Sequence, residues 1–270
     1  MAAAFDTFNK YEGLGNDFIL IDCRREDDVP PELAIALCDR HFGVGADGVL
    51  LVLPPRAPGC DARMRVMNAD GTVPEMCGNG VRCVALHVAR AQGAVDAVVR
   101  IDTDAGERRC AVSDAHGQAT VTADMGVVRV LGKRAVELDG RSFELTVADA
   151  GNPHAVVFGA FARSDVERLG PRLAAHGDFP HGTNVEFARM TGDGIDLSVW
   201  ERGVGLTLAC GTGACATVAV ACSLGLVAGG TSVAVRLPGG RLDVTLGADG
   251  RTTMSGPARH VFSGVLTRPP

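Results

Sequence analysis

Apolar and polar positions along the chain fall into two successive copies of one pattern. Gly15-Asn16-Asp17-Phe18 leads into the apolar run Ile19–Ile21, and Gly151-Asn152-Pro153-His154 leads into Ala155–Phe158. A helix-like segment follows each run. Pro30-Pro31-Glu32 opens the first, with a stop expected at Gly43. Ser164 and Glu167 fit a capping box for the second, with a stop near Gly177. Further on, Met76-Cys77-Gly78-Asn79-Gly80-Val81-Arg82-Cys83 enters an apolar run ending near Gly93, and Ala209-Cys210-Gly211-Thr212-Gly213-Ala214-Cys215 enters another ending near Gly225. The offset between the copies is about 133 residues. Strand-like runs follow each Cys-Gly-x-Gly segment: Val98–Ile101, Cys110–Val112 and Ala119–Thr122 in the first copy, Ser232–Leu237, Leu242–Leu246 and Thr252–Met254 in the second.

Two similarly folded α/β halves facing each other account for this order most simply. The boundary is expected between Asp124 and Lys133, giving halves 1–124 and 125–258. The last strand, His260–Leu266 within 259–270, is expected to return to the first half. The stretch between Arg202 and Arg236 carries no charge, and Leu206–Ala228 is long enough to span a bilayer. Its glycines and its polar first half favour instead a helix buried on every side within a soluble core.

Composition narrows the function. The 270 residues are enough for one large domain or two ordinary ones. Apolar residues are 46% and charged residues 21%, which excludes a disordered chain. A net charge of −6 and 4% aromatic residues argue against nucleic-acid binding, which needs basic surface or stacking platforms. No signal-peptide pattern opens the chain, and the nine cysteines lack framework or zinc spacing. Free thiols, a cytoplasmic setting, no metal and no membrane association are therefore expected. Glycine is high at 35 residues and dispersed, which suits many turns and close approach of backbone to a ligand.

The repeated Cys-Gly-x-Gly carries the chemistry. A helix N-terminus offers unpaired amides and the positive end of the dipole, which favour thiolate. Glycines after the cysteine let those amides approach a carboxylate, and a carboxylate bound there makes its α-proton more acidic. Two such sites on opposite sides of one molecule suit inversion of a stereocentre, one thiolate removing a proton and the other thiol delivering one. A lone cysteine in such a place is more often a buried structural residue. Its recurrence in both halves reverses that preference for Cys77 and Cys210. The other seven cysteines sit in apolar contexts and read as core or incidental.

With these motifs, the chain resembles the diaminopimelate epimerase family. The resemblance rests on Lys10-Tyr11-Glu12-Gly13-Leu14-Gly15-Asn16-Asp17-Phe18, Asn68-Ala69-Asp70-Gly71, Met76–Gly80, Gly151–His154, Thr183-Asn184-Val185, Glu201-Arg202-Gly203 and Ala209–Gly213, in that order along nearly the whole chain. It implies two pseudo-symmetric α/β (α+β) halves, each a curved sheet around a central helix, with the active site in the cleft. It implies an epimerase using no pyridoxal phosphate, no other cofactor and no metal. The reaction would interconvert L,L- and meso-diaminopimelate, on the route to lysine and peptidoglycan precursors, in a homodimer. Cys210 falls on the family's proton acceptor for the L,L substrate and Cys77 on its donor, with roles exchanged in reverse. His154 and Glu201 fall on positions that adjust the thiol pKa values. Asn16, Asn68, Asn79, Asn152, Asn184, Glu201 and Arg202 fall on substrate-binding positions, and Gly78, Asn79, Gly211 and Thr212 would offer backbone amides to the reacting carboxylate.

The chain departs from the family at Gly48, where many members carry Gln. Three other readings compete: a proline or hydroxyproline racemase, a non-catalytic two-lobed amino-acid-binding protein, and a cysteine hydrolase. Asn79 after the first Cys-Gly and Glu201-Arg202 before the second favour the acyclic diamino diacid over proline. No His/Asn dyad with a hydrolase signature is present.

Overall fold

A computed structural model describes residues 6–115 and 118–266. The elements run β1 (Thr7–Gly13), β2 (Asn16–Asp22), α1 (Pro31–Cys38), β3 (Gly48–Leu53), β4 (Ala62–Asn68), α2 (Gly78–Ala91), β5 (Asp96–Asp102), β6 (Arg108–Ala115) and β7 (Gln118–Val127). They continue with β8 (Arg129–Leu138), β9 (Arg141–Asp149), β10 (Pro153–Phe158), α3 (Arg163–Ala174), β11 (Asn184–Thr191), β12 (Gly194–Glu201), β13 (Gly205–Thr207) and α4 (Gly211–Ser223). The last strands are β14 (Ser232–Leu237), β15 (Gly240–Leu246), β16 (Arg251–Pro257) and β17 (Arg259–Val265). They divide into two compact units, one up to Ala123 together with the residues from Gly256 onward, the other Asp124–Ser255.

In the first unit β1 and β2 form an antiparallel hairpin, and β3 lies parallel to β2 across α1. β4 returns antiparallel to β3, and β5 lies parallel to β4 across α2. β6 and β7 extend the sheet antiparallel, and β17 pairs with the free side of β1. The second unit repeats the sequence of pairings. β9 and β10 are antiparallel, and β11 is parallel to β10 across α3. β12 is antiparallel to β11, and β14 is parallel to β12 across α4. β15 and β16 follow antiparallel, and β8 pairs with β9.

Strands covered on both faces need continuous apolar runs, as β2 and β3 have. Ile19, Ile21, Val49 and Leu51 pack with Ala34 and Leu37 of α1. Leu50 points the other way, and a Cβ on Gly80 of α2 would come within 2.8 Å of its Cδ2. In the second unit Ala155, Val157, Val185 and Phe187 pack against Val166, Leu169 and Leu173 of α3. The uncharged stretch expected to form an internal helix does so. α4 buries small residues on nearly every side, from Gly211 and Gly213 to Ala221. No helix among the described residues is long and apolar enough to cross a membrane.

Two local expectations are corrected. α3 begins one residue before Ser164, with Ala162 at its N-cap, and the Asp165 carboxylate accepts the Ala162 N–H at 3.1 Å. Ser164 and Glu167 make no capping box, and Glu167 instead accepts from Arg163 Nε at 2.8 Å. α1 stops at Cys38 rather than running to Gly43, because the Val44 and Gly45 amides turn back to bond the Leu37 carbonyl. Gly43 is enclosed by that turn: a Cβ there would lie 2.2 Å from the Ala36 carbonyl oxygen.

Candidate active site

Each unit presents a cysteine at the mouth of its central helix. Cys77 is the N-cap of α2, with φ −135° and ψ 112°, and Cys210 is the N-cap of α4, with φ −127° and ψ 109°. Each Sγ accepts a backbone N–H three residues on, from Gly80 and from Gly213, both at 3.4 Å. The thiol thus takes the place of the usual Ser, Thr or Asp cap and lies at the positive end of the helix dipole. A glycine stands at the third helical position of each. Cβ atoms at Gly80 and Gly213 would lie 3.5 Å and 3.2 Å from the sulfurs.

In the first unit, Asn79 is locked from both sides. The fully buried Arg82 donates from Nη2 to Asn79 Oδ1 at 3.1 Å, and Asn79 Nδ2 donates to Asn16 Oδ1 at 3.1 Å. Asn16 Nδ2 in turn donates to Asp47 at 2.8 Å, and Arg40 bridges Asp17 and Asp47. The guanidinium of Arg82 also reaches the carbonyls of Gly78 and Pro257. The chain of donors fixes which end of each amide points where. Asn68 closes β4 and stands apart from this chain; it donates to Thr72 Oγ1 at 2.9 Å in the turn after the strand. Gly48 lets β3 approach β4 closely, since a Cβ there would lie 2.6 Å from the Met67 carbonyl oxygen. A side chain at that position would force the strands apart.

The second unit places the other sequence-identified residues around Cys210. Strand alternation turns Val185 and Phe187 toward α3 and leaves Asn184 and Glu186 on the opposite face. Asn184 joins two segments, donating to the Pro153 carbonyl and accepting the Arg202 N–H, both at 2.9 Å. The Arg202 guanidinium donates to the His181 carbonyl at 2.9 Å. His154 is fully buried, with Nδ1 2.7 Å from Glu186 Oε1 and Nε2 2.8 Å from Asn152 Oδ1. Glu201 accepts from the Thr207 hydroxyl at 2.6 Å, and its carboxylate acts electrostatically on the Cys210 thiol. Thr212 Oγ1 lies 3.6 Å from the same sulfur.

Burial drives the electrostatics here. It pushes the Cys210 thiol well above its usual value, and the Glu201 and Glu186 carboxylates push the same way. The Thr212 hydroxyl and Gly213 amide oppose them by stabilising thiolate. Burial likewise raises the Glu201 carboxyl, against the Thr207 hydrogen bond and with the help of Glu186. The unit therefore holds a thiol, two carboxylates and an imidazole within one buried polar group.

Two members were missed in the sequence. Glu186 directly follows the Thr183-Asn184-Val185 motif, and its signal was a charge inside an apolar strand. Arg82 lies in the Cys77 motif itself, a cation within the mostly apolar first two turns of its helix. Both are fully buried.

Solved structures share the fold. A hydroxyproline epimerase from Agrobacterium vitis superposes with a TM-score of 0.76 at 18% identity, covering 98% of this chain and 93% of that one. A probable proline racemase from Agrobacterium radiobacter gives 0.76 at 16% identity, covering 97% and 93%. A closer assignment comes from sequence. The family model for diaminopimelate epimerase matches residues 8–131 and 146–261. Diaminopimelate epimerases from Microcystis aeruginosa and Desulfitobacterium hafniense are each 43% identical, covering 96% and 95% of this chain and 98% and 96% of their own lengths. The chain belongs to the diaminopimelate epimerase family and is an amino-acid epimerase.

Proposed function

We propose that Cys77 and Cys210 are the two bases that interconvert L,L- and meso-diaminopimelate, acting on opposite faces of one α-carbon. The observation that carries this reading is their equivalence. Both thiols cap a glycine-opened helix with nearly the same backbone angles and the same 3.4 Å amide contact. In the L,L direction Cys210 thiolate takes the α-proton and Cys77 delivers one to the other face. In the meso direction the two exchange roles.

The helix starts supply amides of Gly78, Asn79, Gly211 and Thr212 for the reacting carboxylate, whose negative charge grows as the proton leaves. Asn16, Asn68, Asn152 and Asn184 offer neutral donors and acceptors for the ammonium and carboxylate groups. Arg202 takes the distal carboxylate and Glu201 an ammonium group. Glu201 also tunes Cys210, since its carboxylate raises the thiol electrostatically. Resting Cys210 is held as thiol by burial and by two carboxylates, so substrate must favour the thiolate. The ammonium group beside it and the helix amides do that. Nine free cysteines fit a reducing cytoplasm, and the working species is a homodimer, which light scattering of the purified protein checks.

Proton NMR of the purified protein with L,L-diaminopimelate in deuterated water, without cofactor, tests the reading. It predicts conversion to the meso isomer with loss of the α-proton signal. Exchange with proline or hydroxyproline but not with diaminopimelate would overturn it.

A further inference from the structure

Glu186 is a buried carboxylate with an unusual set of partners. One oxygen meets His154 Nδ1 at 2.7 Å, and the other has no hydrogen-bond partner although it is buried. The opposite ring nitrogen of His154 meets Asn152 Oδ1 at 2.8 Å. Both contacts of the imidazole are therefore acceptors, a carboxylate and an amide oxygen, and each needs an N–H from the ring. A lone buried carboxylate bonded to a neutral ring is costly, whereas a carboxylate bonded to an imidazolium is a paired charge.

The chemistry reaches Asn152. If His154 carries both protons, its Nε2–H takes the amide oxygen and leaves the Asn152 NH2 free. If the ring is neutral with its proton on Nδ1, Nε2 becomes an acceptor, and the amide must turn to present its oxygen instead. A free NH2 binds a carboxylate; a free oxygen binds an ammonium group. The ring's charge thus decides which substrate group Asn152 can hold.

We propose that Glu186 is a positioning residue for the epimerisation, holding His154 as an imidazolium so that Asn152 presents its NH2 to a substrate carboxylate. The proposal rests on the placement of Asn152 in the substrate site. The carboxylate is fixed in turn by α4, because Gly213 leaves room for it: a Cβ there would lie 2.9 Å from Glu186 Oε1. The other titratable groups around the pair are Asp149 on β9, Glu201 on β12 and the Cys210 thiol at the start of α4.

Nitrogen-15 NMR of histidine-labelled enzyme, with the His154 signals assigned by a His154→Gln variant, reads the ring directly and needs no turnover. Both His154 nitrogens should report as protonated across the pH range of activity, with and without substrate. A neutral ring in the wild-type protein overturns the proposal, whether or not the protein epimerises diaminopimelate. Loss of activity towards diaminopimelate with an imidazolium present would instead count against the functional reading alone. Steady-state kinetics supplies the second arm. Glu186→Gln should make the ring titrate and raise KM by roughly tenfold or more, the worth of a charge-assisted hydrogen bond, with a smaller change in kcat. Glu186→Asp should restore part of the loss. Unchanged KM and an unaltered pH profile in a folded Glu186→Gln enzyme would also overturn it.

Discussion

Gly80 and Gly213 occupy the same position in their helices, and alanine at each tests how the two helix starts differ. Alanine is the better helix former by at most about 1 kcal/mol, so propensity alone favours both substitutions equally. What the new Cβ meets differs. At Gly80 it comes 2.8 Å from Leu50 Cδ2, the end of a side chain that can rotate away. At Gly213 it comes 2.9 Å from Glu186 Oε1, which His154 already holds at 2.7 Å. Moving that oxygen loses a hydrogen bond to a charged group, worth about 1.5–3 kcal/mol. Subtracting the propensity gain leaves Gly213→Ala destabilised by about 0.5–2 kcal/mol. Gly80→Ala should stay within about 1 kcal/mol of wild type, repacking and propensity nearly cancelling. Urea unfolding with a constant m-value measures both. Activity should separate the pair further, with kcat/KM for Gly213→Ala down at least about tenfold as the Glu186–His154–Asn152 chain shifts. Equal stability of the two variants, with wild-type kcat/KM for Gly213→Ala, would refute the reasoning.

Four further outcomes follow from the same geometry. Cys77→Ser and Cys210→Ser should each lower epimerisation by about 10²-fold or more with the fold intact by circular dichroism, because a hydroxyl is a poor base at neutral pH. Glu201→Gln removes one of the two carboxylates that raise the Cys210 thiol, so the activity limb that rises with pH should move to lower pH. The same variant should alter stability in a defined direction. Glu201 is raised above 4.5 in the folded protein, so its contribution is full at lower pH and is lost as pH rises through the folded value; Glu201→Gln should flatten that decline in Tm. Arg82→Met should cost about 2–4 kcal/mol in unfolding free energy, since it takes a donor from Asn79 Oδ1 and from the carbonyls of Gly78 and Pro257.

The two-copy order of elements was legible because each copy repeats the same punctuation: Gly-Asn before an apolar strand, then Cys-Gly-x-Gly before a buried helix. Cys77 and Cys210 stood out for the same reason, and the helices they cap are those expected. Strands such as β8 and β9 gave no signal. β8 is exposed along most of its length, so apolar alternation hardly marks it. The cap of α3 was misplaced because Ser164 and Glu167 match a capping-box pattern two residues beyond the actual N-cap and N3 residues, Ala162 and Asp165. Glu186 and Arg82 escaped notice for a different reason. A buried charge is recognisable only once the strand or helix face it occupies is known, and in the sequence each looked like an ordinary polar interruption. The amide orientations of Asn16, Asn79 and Asn152 depend wholly on such neighbours, and no spacing rule reports them.

The claim that two separate thiols handle the proton is tested most directly by where solvent deuterium goes in the first turnovers. L,L-diaminopimelate is incubated in deuterated water and sampled at low conversion, with the α-carbon of each isomer examined by NMR and mass spectrometry. Two bases predict deuterium in the meso product while the remaining L,L substrate still carries protium. Deuterium appearing in both isomers from the earliest samples, or protium retained in the product, would mean that a single group removes and returns the proton, and would contradict the account.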